Sequence, residues 1–181
     1  MERELNLTIS YTTGLHNLPY APVEGKVFPL IWLSREPDRI TEIPELEGEP
    51  ELASFLGTIN APGLPFESFR CAFEDTVHPP TGGVLRRMYV GIIFRNRDWA
   101  SDLTNYFVLA RGLLLNVVHD HSFPDGTGPF ELRLMKNCLK DEGGRIAFSA
   151  DVQMEMYGED QAQMREELAR RLSALQQALS C

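Results

Sequence analysis

The feature that most constrains the fold is residues 99–118, WASDLTNYFVLARGLLLNVV, which predict one long helix with little polar surface. At about 100° per residue, most of its large apolar side chains fall on one broad face. These are Leu103, Tyr106, Phe107, Ala110, Leu113, Leu114, Val117 and Val118. A stripe of this width predicts packing against a sheet. Asp98 or Ser101 is the predicted cap at the start, and Pro124 prevents continuation beyond the helix.

The opposite side of this helix carries two apolar residues, Val108 and Leu115, beside polar positions that include Arg111. A helix that is apolar on both sides is either buried within its own domain or covered by a partner. A chain of 181 residues has limited material with which to surround a helix. We therefore expect Val108, Arg111 and Leu115 to contact a protein partner, and a second copy of the chain is the expected partner.

Period-two alternation of apolar residues predicts two hairpins, one on each side of the long helix. The first joins a strand around residues 69–73 to a strand at 87–94 through a turn rich in proline and glycine. The second joins residues 130–139 to 145–157 around the turn DEGG. Apolar residues alternate almost without fault along 145–157, so this is the clearest strand in the sequence.

The remaining elements are predicted from shorter patterns. Alternation predicts a strand over residues 5–11, and an apolar run predicts another over 27–34, with a loop over 12–26 between them. Pro50 and Gly57 bracket a short helix near 50–56. Apolar residues at helical spacing predict an amphipathic helix over 160–179.

These elements together predict an α+β fold in a single domain of residues 1–181 that is loop-rich in 12–67. We expect a mainly antiparallel sheet of about five or six strands packed against two long helices, about 99–118 and 160–179. The order hairpin, helix, hairpin, helix over about residues 68–180 resembles the small acidic chaperones of bacterial secretion systems. That resemblance implies dimerisation through the helix between the hairpins. It includes no sequence motif, and the strands placed before residue 34 depart from those chaperones.

Charge and cysteine content exclude several classes of function. The formal net charge of −9 and the isoelectric point near 4.9 disfavour nucleic acid and anionic membranes as partners. We interpret Arg86, Arg87, Arg95 and Arg97 as a solvated strand rim. Three cysteines without a C-x-x-C pair predict neither a disulfide framework nor a thiolate zinc site. We see no signal peptide and no apolar run that spans a bilayer, and we expect a cytoplasmic protein.

One group of candidate metal ligands stands after the long helix: His119, Asp120, His121 and Asp125. Two histidines at alternate positions in a loop can chelate a metal ion, and a carboxylate can complete the metal site. A histidine at the C-terminal end of a helix is, however, already explained by its favourable contact with the helix dipole. We expect no stoichiometric metal and no cofactor.

Motifs for a serine nucleophile, a phosphate loop and a dinucleotide turn are absent, so no catalytic residue can be named. Cys71 shares a strand face with two phenylalanines, which predicts a core thiol rather than a nucleophile. Asp151 and Glu155 alternate with apolar residues, and we interpret them as part of a solvated sheet face.

Alternate residues of a strand point to the same face of the sheet. If the strand faces opposite the main apolar face lie together, they bring a set of polar and aromatic side chains onto one surface. The set is Arg70, Arg87, Tyr89, Arg95, Arg133, Arg145, Glu155 and Tyr157. Tyrosine and arginine are enriched in protein interfaces, so Arg87, Tyr89 and Tyr157 are candidate partner-binding residues. The sequence favours a protein-binding module such as a chaperone, adaptor or immunity-type inhibitor. The alternative is a small enzyme, metal-dependent through His119, Asp120 and His121 or acting in a pocket between sheet and helices.

Overall fold

Five strands form one sheet in the computed structural model, which describes residues 7–19, 30–77, 82–119 and 130–180. The strands are β1 (Leu7–Leu18), β2 (Phe66–Val77), β3 (Val84–Phe94), β4 (Phe130–Leu139) and β5 (Arg145–Gly158). Their spatial order is β1-β4-β5-β3-β2. β1 pairs with β4 in parallel, and the other three pairings are antiparallel. The predicted α+β fold and both predicted hairpins are confirmed.

Four α-helices accompany the sheet in the described ranges. They are α1 (Pro50–Ile59), α2 (Arg97–Ala100), α3 (Leu103–His119) and α4 (Gln161–Ser180). The apolar stripe predicted for the last helix is confirmed, because Met164, Leu168, Leu172, Leu175 and Leu179 are all buried in α4. None of the described helices is long and apolar enough to cross a membrane.

The two faces of the sheet differ in what covers them. The helix face, which α3 and α4 pack against, presents Val90, Val152 and Met154, and all three are buried. The opposite face, here the outer face, is buried at one end, at Leu139, Ala147 and Ser149, and is open at the other. Because the centre of β5 is buried on both faces, Ala147 and Ser149 are buried as fully as Val152.

The predicted single helix over 99–118 is divided between α2 and α3, and the predicted caps are wrong. The Asn96 side chain accepts the backbone N–H of Asp98 at 2.9 Å and begins α2. The Asp102 carboxylate accepts the backbone N–H of Thr104 at 2.9 Å and begins α3. Each cap satisfies a first-turn donor that has no partner within its helix, so the chain begins a helix twice.

The N-terminal third departs most from expectation. β1 continues through the predicted loop as far as Leu18, with an irregularity in register between Thr12 and Leu15. Residues 30–34 of the strand predicted over 27–34 form no strand, and 27–29 lie outside the described residues. The apolar run there reflects burial rather than strand pairing, because Ile31, Trp32 and Leu33 pack into the core.

Arg86 and Arg97 are buried, so the interpretation of four arginines as a solvated rim is wrong for these two. Arg86 donates to Glu49 at 2.7 Å and to Asp75 at 2.7 Å, and it lowers the pKa of Asp75 through that hydrogen bond. Arg97 donates to Glu142 at 2.8 Å. Buried guanidinium groups require such partners because an unpaired buried charge is costly.

Candidate functional site

The outward side of α3 exposes four large apolar side chains. Their exposed fractions are 51% for Phe107, 65% for Val108, 36% for Leu114 and 43% for Leu115. Arg111 is exposed among them. We call these five residues the α3 surface. Its apolar members lie on neighbouring turns of one helix, and contiguous exposed apolar area is typical of an interaction site rather than of a solvated helix.

Phe107 and Leu114 were predicted to face the core, and that prediction is wrong. The buried strip of α3 is Tyr106, Ala110 and Leu113, which lie within about 60° of one another on the helix. Phe107 and Leu114 lie roughly 80° from the centre of that strip, and both stay partly exposed. The side chains of Val117 and Val118 lie outside the described residues.

Tyr106 fixes the rotation of α3 about its axis. Its hydroxyl donates to the backbone carbonyl of Phe148 on β5 at 2.5 Å and accepts the backbone N–H of Phe94 on β3 at 3.4 Å. The Tyr106 and Phe94 rings pack with centroids 4.9 Å apart. Because Val108 lies about 160° from Tyr106 on an ideal helix, anchoring Tyr106 to the sheet turns Val108 outward.

The outer face carries a separate groove of about 450 Å³ at its open end. All five strands contribute to the groove, and its lining includes Thr8, Ala72, Glu74, Arg87, Tyr89, Glu131, Gln153 and Glu155. The predicted partner-binding residues Arg87 and Tyr89 therefore lie together, and Arg87 donates to Glu155 at 2.6 Å. Tyr157 lies next along the same face of β5 and is 39% exposed. The groove and the α3 surface lie on opposite sides of the sheet.

An ion pair lies beside the groove. Arg70 donates from Nε to Asp151 at 2.8 Å, and its guanidinium lies 5.2 Å from the centroid of the Tyr89 ring. Asp151 is buried, so its interpretation as part of a solvated face is wrong. Burial raises the pKa of Asp151, and the neighbouring Arg70 opposes that rise.

The other conjectured members of the outer face do not join the groove. Arg95 donates to the backbone carbonyl of Phe66 at 2.6 Å, and Arg145 pairs with Asp98. Arg133 lies on the outer face with its Nε 3.5 Å from Glu131. Strand parity was predicted correctly for the members that lie within the strands. Arg95, however, follows the end of β3, and the set is spread along the sheet rather than gathered in one place.

The candidate metal ligands Asp120, His121 and Asp125 lie outside the described residues, and so does the side chain of His119. Within the ranges that the structure describes, no three His, Cys, Asp or Glu side chains are grouped to hold a metal. Cys71 is buried, and burial raises the pKa of its thiol to about 12. The predicted assignment of Cys71 to the core is confirmed.

Sequence reasoning missed a pairing of two polar residues between β1 and β4. His16, which was expected in a loop, lies on β1 directly across from Asn137 on β4. His16 Nε2 and Asn137 Oδ1 are both buried and form no hydrogen bond to a described group. No signal in the sequence indicates that these two residues lie opposite each other, because this depends on a parallel pairing of strands that are far apart in the chain.

Comparisons of the chain with protein-family models, with curated proteins and with solved structures each found no match. They add no support to the resemblance to secretion chaperones. Function is therefore inferred from the geometry of the α3 surface and of the outer groove.

Proposed function

We propose that this protein is a cytosolic protein-binding module that acts as a homodimer and associates through the α3 surface. The observation that carries the proposal is the exposure of Phe107, Val108, Leu114 and Leu115, each between 36% and 65%. Removing apolar area from water stabilises an association by roughly 25 cal/mol per Å², before the cost of bringing two molecules together.

Two further apolar side chains extend this surface at the N-terminal end of α3. Trp99 is 54% exposed and Ile146 is 39% exposed. The Ser101 hydroxyl donates to the backbone carbonyl of Ile146 at 3.1 Å and holds the start of β5 beside α2. An interface centred on α3 therefore has apolar flanks that enlarge the area available to a partner.

A second copy of the chain is the proposed occupant because two-fold symmetry brings the same stripe to face itself. A charged partner surface would gain little by covering these apolar side chains. A second copy presents the same apolar stripe, so association removes both stripes from water at once. The net charge of −9 also argues against nucleic acid and anionic lipid as partners.

The outer groove stays free in such a dimer because it lies on the other side of the sheet. Its Arg87 and Tyr89 belong to the residue types that are enriched in protein interfaces. We assign the groove and the neighbouring Tyr157 to a second protein, as a chaperone, adaptor or immunity-type inhibitor requires.

Light scattering coupled to gel filtration tests the self-association. We expect the wild-type protein to have twice the mass of one chain at micromolar concentration. Leu115→Glu places an unpaired carboxylate in the interface and is expected to give a monomer whose circular dichroism is unchanged. The matched control is Ser173→Glu, at an exposed position of α4, which is expected to remain a dimer. A monomeric wild-type protein would contradict the proposal.

The rival proposal is a small enzyme that uses the segment containing His119, Asp120 and His121. Elemental analysis after gentle purification distinguishes the two proposals. One zinc, iron or manganese ion per chain, lost in the double variant His119→Ala and His121→Ala, would favour the enzyme over the binding module.

A further inference from the structure

The two edge strands of the sheet differ in how they are protected. β1 pairs with β4, and the described residues include no partner for its other edge. Edge strands commonly carry charged side chains, which prevent another strand from joining the sheet. β2, at the opposite end, has four charged residues: Glu67, Arg70, Glu74 and Asp75. Leu7–Leu18 has no aspartate, glutamate, lysine or arginine, so β1 lacks this protection.

The first half of β1 is a regular strand with exposed apolar side chains. Residues 7–12 pair with β4 in unbroken register, and the irregularity of β1 lies beyond them. Ile9 and Tyr11 point to the same face of the sheet and are 44% and 45% exposed. The backbone N–H and C=O groups along the edge of a strand are complementary to another extended strand. Apolar side chains at alternate positions of an added strand would cover Ile9 and Tyr11.

The outer groove indicates which charge an added strand carries. The groove reaches β1 at Thr8, and its lining includes the carboxylates of Glu74, Glu131 and Glu155. Arg87 supplies the one cation among the lining residues, so the groove has three negative charges against one positive charge. The chain as a whole has a net charge of −9. Lysine or arginine side chains on the outer side of an added strand would therefore be complementary in charge to the groove.

A basic side chain on an added strand can reach Glu131. Thr8 on β1 lies directly across from Glu131 on β4. Neighbouring strands lie about 4.8 Å apart, so an added strand and β4 would be about 10 Å apart with β1 between them. The sheet already holds one ion pair across an intervening strand, between Arg70 on β2 and Asp151 on β5. Lysine and arginine have long flexible stems that can make the same crossing over the small side chain of Thr8.

We propose that the second protein binds by adding an extended segment to the edge of β1. The segment alternates apolar residues, which lie beside Ile9 and Tyr11, with lysine or arginine residues, which face the outer groove. Its backbone continues the hydrogen-bond ladder of the sheet and gives affinity, while the alternating side chains give specificity. This inference rests on the proposed assignment of the groove to a second protein, and it names the chemistry by which that protein is recognised.

A labelled peptide tests the addition of a strand to the full-length protein. The probe is a short peptide with blocked ends that alternates valine with lysine, and a peptide that alternates valine with glutamate is its charge control. We expect fluorescence anisotropy to show binding of the lysine peptide and none of the glutamate peptide. N-methylation of alternate residues separates strand pairing from charge attraction, because only one edge of the peptide faces β1. One alternate set of N-methyl groups is expected to abolish binding, and the other set is expected to leave it unchanged.

Two lysine variants locate the binding site on β1. Ile9→Lys replaces the proposed apolar contact with a charge and is expected to weaken binding of the lysine peptide at least about tenfold. Val77→Lys is the matched control, because it makes the same change in net charge at an exposed position of the opposite edge strand. It is expected to leave the affinity nearly unchanged, and circular dichroism checks that both variants are folded. Equal weakening by the two variants, or equal effects of the two N-methyl sets, would indicate charge attraction alone and overturn the proposal.

The result can be separated from that of the proposed dimer, which light scattering measures on the same protein. A wild-type dimer that does not bind the lysine peptide would overturn the strand addition and leave the homodimer standing. A wild-type monomer that binds the peptide through β1 would overturn the homodimer and support the strand addition. A dimer that Ile9→Lys splits into monomers would show that a second copy of the chain occupies the edge of β1, and it would overturn the assignment of that edge to a different protein.

Discussion

Arg70 on β2 and Asp151 on β5 form an ion pair across β3, directly over Gly91. A Cβ at Gly91 would lie 2.6 Å from Cγ of Arg70 and 3.0 Å from Oδ1 of Asp151. The two charged side chains meet across an intervening strand because that strand has no side chain at this position. The pair in turn supports Tyr89, whose ring lies beneath the Arg70 guanidinium at the edge of the outer groove.

Gly91→Ala is expected to destabilise the fold by roughly 1–3 kcal/mol, because the methyl group overpacks a site where the neighbouring atoms are already close. Denaturant midpoints measure the change. Gly57→Ala is the comparison, and it is expected to stabilise the fold because its Cβ position is open. Equal stability of Gly91→Ala and the wild type would show that Arg70 can move away from its position over β3 with little loss of folding free energy.

The positions of the two residues of this ion pair could be predicted only in part from the sequence. Alternation along β2 and β3 correctly places Arg70 and Tyr89 on the same face, since side-chain direction in a strand follows residue parity. The meeting of Arg70 with Asp151 depends on strand order and register between segments 81 residues apart. No local pattern contains that information, so Asp151 was expected at a solvated surface.

The same distinction holds for the whole sheet. Both hairpins could be predicted because their strands are joined by short turns rich in glycine or proline. The parallel pairing of β1 with β4 brings Leu7 beside Phe130, and the chain between them gives no signal of it. For that reason the second half of β1 was expected to be a loop, and the pairing of His16 with Asn137 could not be predicted.

The α3 surface was predicted in part. Val108 and Leu115 could be identified because the angle between side chains on one helix is fixed by its geometry. The exposure of Phe107 and Leu114 could not, because the width of the buried strip is set by the elements that pack against it.

Tyr106→Phe is expected to destabilise the fold by about 1–3 kcal/mol. The hydroxyl of Tyr106 is buried between α3 and the sheet, and its loss leaves the backbone carbonyl of Phe148 without this donor. The isosteric change keeps the packing of the ring against Phe94. Thermal and denaturant unfolding measure the loss, and Tyr11→Phe, at an exposed tyrosine, serves as the control. Equal stability of both variants would contradict the anchoring role of Tyr106.

Stability is expected to fall in acid partly through Glu142. Hydrogen bonds from Arg97 and Arg35 lower the pKa of Glu142 from 4.5 to about 2 in the folded protein. Because the folded state binds this proton more weakly than the unfolded chain, the contribution of Glu142 is present above about pH 4.5. It is lost as the pH falls from there towards 2. Glu142→Gln is expected to be less stable at pH 6 and to lose less stability between pH 5 and 3. A parallel decline in both proteins would show that the ion pairs of Glu142 do not contribute.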